Sequence, residues 1–140
     1  MGMGYNFDVS VGDYVTLATK GDASIFGHLT ASRSDLGAAS SSIRGIFAGG
    51  AIGTTSYSII DYFTIATTGD ATNFGDLVID RHGLAGVSSS TRGVFAGGIG
   101  MDGYTMDYVT IASAGDAKDF GTLSPTKMHL GGCSDSHGGL

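Results

Sequence analysis

Charge, proline and tryptophan are all scarce here: charged residues make up 14%, there is one proline and no tryptophan. Disordered segments are usually rich in charge and proline and poor in β-branched and aromatic residues. Regularly placed Val, Ile, Phe and Tyr argue instead for a folded chain. The seven Lys and Arg residues are scattered and the net charge is −6. The lack of a basic stripe argues against a phosphate-backbone binder, and no nucleic-acid partner is expected. No run approaches ~18 apolar residues, so no membrane span or membrane partner is expected. The start, MGMGYNFDVSVGD, has neither the basic head nor the apolar middle of a signal peptide. The single cysteine, Cys133, excludes a disulfide within one chain and leaves the compartment open.

Glycine is abundant, at 25 of 140 residues. It does not fall in collagen-like triplets. It recurs at fixed places in a repeat, as turns and close-packed backbone do. Asp61 to Gly98 reads DYFTIATTGDATNFGDLVIDRHGLAGVSSSTRGVFAGG, and Asp13 to Gly50 is the same unit 48 residues earlier. Asp107 to Leu140 repeats it again after a shift of 46 and stops before the closing FAGG. A repeat of this length indicates a propeller, solenoid or array.

In the second copy, Asp61–Ala66 alternates in the manner of a strand, with Phe63 and Ile65 on one face. Thr67–Asp70 is a turn cluster, and Ala71–Leu77 is a second strand anchored by Phe74. Leu84–Ser90 is a strand of small residues, and Val94–Ala96 closes the unit before Gly97-Gly98. No segment has a helical period. Four strands in about 45–50 residues make a propeller blade, so residues 1–140 are expected to form one all-β repeat domain of three four-stranded blades.

The unit resembles the kelch repeat. Blades of that family carry a di-glycine closing the second strand, here Gly49-Gly50 and Gly97-Gly98. An aromatic follows in the third strand, here Tyr62 and Tyr108, and another near the fourth, here Phe74 and Phe120. A basic residue before the innermost strand matches Arg33, Arg81 and Lys127. The match covers nearly the whole chain. The usual fourth-strand tryptophan is replaced by Phe26, Phe74 and Phe120, which makes this a kelch-like variant. The repeat also resembles uncharacterised repeat proteins of marine bacteriophages, which implies a viral, virion-associated setting.

Three blades do not close a ring, since propellers have about 4–8. Aligning the copies, the N-terminus resumes the repeat where the C-terminus leaves it, and the segment 130–136 is a spare innermost strand. The expectation is a head-to-tail homodimer of six blades, in which that strand completes the first blade of a partner chain by strand exchange. A fragment of a longer repeat protein is the rival reading. Blades crowd at the axis, so the innermost strands use small residues. Ser40, Ser42, Ser88, Ser90, Ser134 and Ser136 are expected to line the channel.

The repeated Asp13, Asp61 and Asp107, and Asp22, Asp70 and Asp116 in the Gly-Asp turns, read mainly as structural. The turn aspartates suit bonds to their own backbone, and a strand-start Asp suits pairing with a repeated Arg. Arg44 and Arg92 read as braces between blades through a carboxylate. His129, Cys133 and His137 alternate by four, but on a strand such residues lie ~13 Å apart end to end, so no metal and no cofactor are expected. Cys133, among small strand residues, reads as a buried inert thiol. The loops of variable length carry Tyr5, Phe7, Tyr57, Met101 and Tyr104, aromatic and apolar residues suited to a glycan or protein surface.

The expected function is therefore a non-enzymatic, self-assembling β-propeller acting as scaffold or binding module. Two alternatives stay open: a purely structural or engineered symmetric propeller without a ligand, and an enzyme or metal-binding propeller using its central channel.

Overall fold

The computed structural model describes residues 9–100 and 103–134. All regular structure among them is β. β1 (Val9–Tyr14) and β2 (Ser24–Arg33) come first. Then follow β3 (Gly37–Ser40), β4 (Arg44–Ala48), β5 (Ala51–Ile52), β6 (Thr55–Ser56), β7 (Ile59–Thr64) and β8 (Thr72–Asp76). The last are β9 (Arg81–His82), β10 (Ala85–Ser88), β11 (Arg92–Ala96), β12 (Ile99–Gly100), β13 (Thr105–Thr110) and β14 (Lys118–Thr122). β1 and β2 form a two-stranded first sheet. The second sheet runs β3-β4-β7-β8 and the third β10-β11-β13-β14, each an antiparallel meander.

The repeat in sequence is a repeat in register. Gly37 opposes Ala48, and 48 residues on Ala85 opposes Ala96. Arg44 opposes Thr64, and Arg92 opposes Thr110. A register shift falls just before the repeated aspartate in every copy, at Gly12/Asp13, Ile60/Asp61 and Met106/Asp107. A bulge of this kind re-aims the side chain that follows it. At Asp61 and Asp107 it accompanies a carboxylate turned into the interior.

Strand boundaries differ in detail from the sequence reading. β7 starts at Ile59 because Ile59 and Ile60 pair with Asp76 and Gly75. Two short two-stranded pairings, β5 with β6 and β12 with β9, sit outside the main meanders and have no sequence period to announce them. The small-residue strands have weak β propensity of their own; neighbours hold them in place. A Cβ on Gly86 would run into the backbone of Ala38 in the next sheet.

The second and third sheets share one buried cluster. Ala39, Ile46 and Phe74 from one side pack with Phe95, Val109 and Ile111 from the other. Each large side chain so buried contributes roughly 1.5–3 kcal/mol relative to exposure. An edge-on aromatic pair recurs in all three copies: Tyr14–Phe26 at 5.8 Å, Tyr62–Phe74 at 5.8 Å and Tyr108–Phe120 at 6.0 Å between ring centroids.

Candidate functional site

Successive sheets are joined by one device used twice. The Gly-Asp-Ala turn of one repeat docks on the outer strand of the repeat before it. Gly69 and Ala71 donate backbone N–H bonds to the carbonyls of Phe26 and His28, both at 2.8 Å. Asp70 Oδ1 accepts the His28 N–H at 3.0 Å. At the next joint Gly115 and Ala117 donate to Phe74 at 2.7 Å and Asp76 at 2.8 Å, while Asp116 Oδ1 accepts the Asp76 N–H at 3.1 Å. The turn aspartates thus bond the neighbouring sheet, where the sequence reading had them bond their own turn. The glycines permit the approach: a Cβ on Gly27 would overlap the Gly69 carbonyl, and one on Gly75 would lie 2.5 Å from that of Gly115.

A buried ion pair completes each joint. Arg33 meets Asp61 at 2.5 Å and Arg81 meets Asp107 at 3.0 Å, with all four side chains shut off from solvent. Arg33 also donates to the Gly49 and Ile59 carbonyls, both at 2.8 Å, and Arg81 to that of Gly97 at 2.9 Å. Burial holds both guanidinium groups below their ordinary pKa, with the facing carboxylate opposing the shift. The Asp107 carboxyl is pushed up by burial, against the pull of Arg81. Buried groups of this kind need every partner they can find. Arg44 crosses to the third sheet as well, but through the Ile111 carbonyl at 2.8 Å rather than a carboxylate, with its guanidinium 4.4 Å from the Tyr62 ring centroid.

The serines of β3, of β10 and of the segment 131–134 form a ladder, although that last segment, expected as an innermost strand, is not a strand among the described residues because no neighbouring sheet pairs with it there. The Ser40 N–H donates to Ser88 Oγ at 3.2 Å, and the Ser88 N–H to Ser134 Oγ at 2.7 Å. Ser42 and Ser90 sit exposed at the turns that follow, and Ser136 lies outside the described residues. At the head of these segments Asp35, Gly83 and His129 hold equivalent left-handed conformations with φ of 56°, 66° and 50°. The Gly83 N–H bonds the Asp35 carbonyl at 2.8 Å, and the His129 N–H bonds that of Gly83 at 2.9 Å.

Of the loop residues, Tyr57 is half-buried just before β7 and Tyr104 is exposed just before β13. Tyr5, Phe7 and Met101 lie outside the described residues. Cys133 is exposed, not buried as the sequence suggests, because among the described residues no further sheet packs over the segment that carries it. Among the described residues no group of three His, Cys, Asp or Glu side chains is placed to hold a metal ion, and no helix is long and apolar enough to cross a membrane.

A concavity of about 540 Å³ lies on the outward face of the third sheet, lined by Val87, Arg92, Val94, Phe120 and Ser134 among others. Their equivalents one repeat earlier include Ala39, Ile46 and Phe74, which the third sheet covers. The concavity is therefore shaped like a sheet-docking face. The opposite end of the molecule, around Asp13, Val15, Leu17 and the turn Gly21-Asp22-Ala23, is the exposed counterpart of the surface that does the covering. Head-to-tail matching of the two ends is the expectation drawn from the sequence; what sequence reasoning missed is that the Gly-Asp-Ala turn, present in every copy, forms part of the joint. No protein-family model matches the chain, and no curated protein matches it.

Proposed function

We propose that the chain is half of a kelch-like β-propeller and works, without catalysis, as a self-assembling scaffold or binding module. Two copies supply six blades. One observation carries the assembly: residues buried inside the chain at a joint are exposed in the repeat at its end. Phe74 is 3% exposed and its equivalent Phe120 49%. Ile111 and Val109 are 1% and 2% exposed, and their equivalents Leu17 and Val15 are 97% and 54%. An apolar face of this kind on a folded domain marks an interaction surface, and two faces that fit each other in trans make a ring when the rotation closes.

The binding role rests on the loops. Exposed Tyr104 and half-buried Tyr57 stand at equivalent inserts beside the main sheets, where aromatic rings suit a glycan or a protein surface. The resemblance to phage repeat proteins makes a virion surface the natural place for such a module.

Mass in solution tests the assembly. Light scattering on the eluting peak is expected to give about twice the 14.1 kDa of one chain. A well-behaved monomer at every concentration counts against the ring. A glycan array, read for the unaltered chain and for Tyr104→Ala, tests the binding face; equal signals from both dissociate Tyr104 from it.

A further inference from the structure

Each internal joint contains a basic residue, an aspartate and a Gly-Asp-Ala turn, and the two ends of the chain carry one unused set. Arg33 takes Asp61 and Arg81 takes Asp107. The third basic residue, Lys127, is exposed, and so is the remaining aspartate, Asp13; among the described residues neither has an ion-pair partner. The outer strands of the first and second sheets receive turns 69–71 and 115–117, whereas Phe120 and Thr122 on the outer strand of the third receive none, and the turn Gly21-Asp22-Ala23 docks on nothing described. A Cβ on Gly27 or Gly75 would collide with a neighbouring turn; one on Gly121 would meet only the Met106 side chain, at 3.6 Å, and one on Gly21 would meet nothing within 4 Å.

We infer that Lys127 of one copy pairs with Asp13 of a second copy, while the second copy's Gly21-Asp22-Ala23 turn docks on Phe120 and Thr122, and that this is the weak joint of the ring. The inference rests on the self-assembly reading above and names its contacts. The occupant is a second copy because the same faces are already seated on each other twice within one chain. The signs match, lysine against aspartate, as in both internal pairs. The inner segments agree: Ser88 on β10 accepts the Ser40 N–H, Ser134 accepts the Ser88 N–H, and Ser40 Oγ, exposed, is the acceptor left for the Ser134 N–H of the other copy. Arg44 donates to the Ile111 carbonyl across an internal joint, and by the same register its equivalent Arg92 would reach the carbonyl of Leu17 of the second copy.

The weakness follows from the substitution of lysine for arginine. Arg33 spreads its donors over two carbonyls and a carboxylate in a fixed fork. An ammonium is a compact, strongly hydrated charge on a flexible stem, harder to desolvate and unable to reproduce that fork. The strong pairs lie inside the chain and the weaker one between chains, so the ring comes apart into folded halves before the halves unfold.

Sedimentation velocity across a concentration series, with native mass spectrometry, tests this on the full chain. Asp13→Lys and Lys127→Asp, each alone, place like charges at both joints and are expected to weaken dimerisation by at least tenfold. An equimolar mixture of the two is expected to form the heterodimer, because every joint then holds opposite charges. Lys127→Arg is expected to tighten the dimer by about tenfold, the worth of roughly one further charge-assisted hydrogen bond. Phe120→Asp, at a site exposed in the single chain, is expected to give a folded monomer by circular dichroism, and a folded dimer would overturn the joint even if the charge variants failed to fold. An unaltered chain that stays monomeric defeats the self-assembly reading and this inference with it. A dimer indifferent to the single charge changes, or a mixture that fails to restore it, leaves self-assembly standing and places the joint elsewhere.

Discussion

The hydroxyl of Thr30 donates to Oδ1 of Asp61 at 2.7 Å, and its backbone N–H reaches Oδ2 at 3.3 Å. In the next repeat the same place holds Val78, whose N–H reaches Asp107 Oδ2 at 3.1 Å but which has no hydroxyl to give. Asp107 Oδ1 is accordingly buried without a hydrogen-bond partner among the described residues. At this position of the two joints one hydroxyl donor to the carboxylate is thus present in one and missing in the other. Val78→Thr is expected to stabilise the chain by about 1–2 kcal/mol, the scale of a hydrogen bond to a charged group. Thr30→Val is expected to cost about as much, and urea unfolding of both variants measures the pair.

The same atom sets a pH dependence. Burial raises the Asp107 carboxyl above its ordinary range. A carboxyl raised in the fold contributes stability that is complete below its unfolded value and is lost as pH rises through its folded value. The gain from Val78→Thr, a donor aimed at the ionised form, is therefore expected to be larger at neutral pH than at acid pH. Carbon-detected titration of Asp107 should show its midpoint falling in the variant. An unchanged midpoint would mean that the new hydroxyl points elsewhere.

Removing one member of a buried ion pair strands the other. Arg33→Met leaves Asp61 buried opposite an apolar chain and is expected to destabilise by about 3–5 kcal/mol. Arg33→Met with Asp61→Leu is expected to recover much of that loss. Thermal melts of the single and double variants supply the comparison. A double variant no better than the single would show that Arg33 serves mainly its carbonyl partners.

The close approach at the joints is testable with one methyl group. Gly27→Ala forces a Cβ onto the Gly69 carbonyl, and overpacking of this kind costs about 1–3 kcal/mol. Gly21→Ala meets nothing within 4 Å in the single chain and should change its stability by less than about 0.5 kcal/mol. Both are read by denaturant midpoint, at a concentration low enough to hold the chain as a monomer.

Much of this architecture is legible in the residues. The alternation in Asp61–Ala66 and the recurrence of Tyr62 and Phe74 announce the strands, and the coincidence of a basic residue and an aspartate in each copy announces a pair. Other features are not legible, for definite reasons. β5, β6, β9 and β12 are two residues long, too short to show any period. The Gly-Asp turn looks self-contained in one dimension, because its partners Phe26 and His28 lie more than 40 residues from Gly69 and Ala71. The exposure of Cys133 depends on which sheet lies over it, a tertiary fact that local composition does not carry.

His28 and Asp76 occupy the same place in successive repeats and differ in charge and shape, though each side chain bonds an equivalent serine, Ser10 or Ser58; each also accepts one bond through its carbonyl and gives one through its N–H to the turn that docks there. The receiving strand speaks through its main chain, which is the same whatever residue is written on it. Outward-pointing letters on these strands are thus free to drift from copy to copy, so long as the glycine between the two bonding residues and the Gly-Asp-Ala turn stay put. Such a gene can diversify the outside of its repeats without ever renegotiating how one repeat recognises the next.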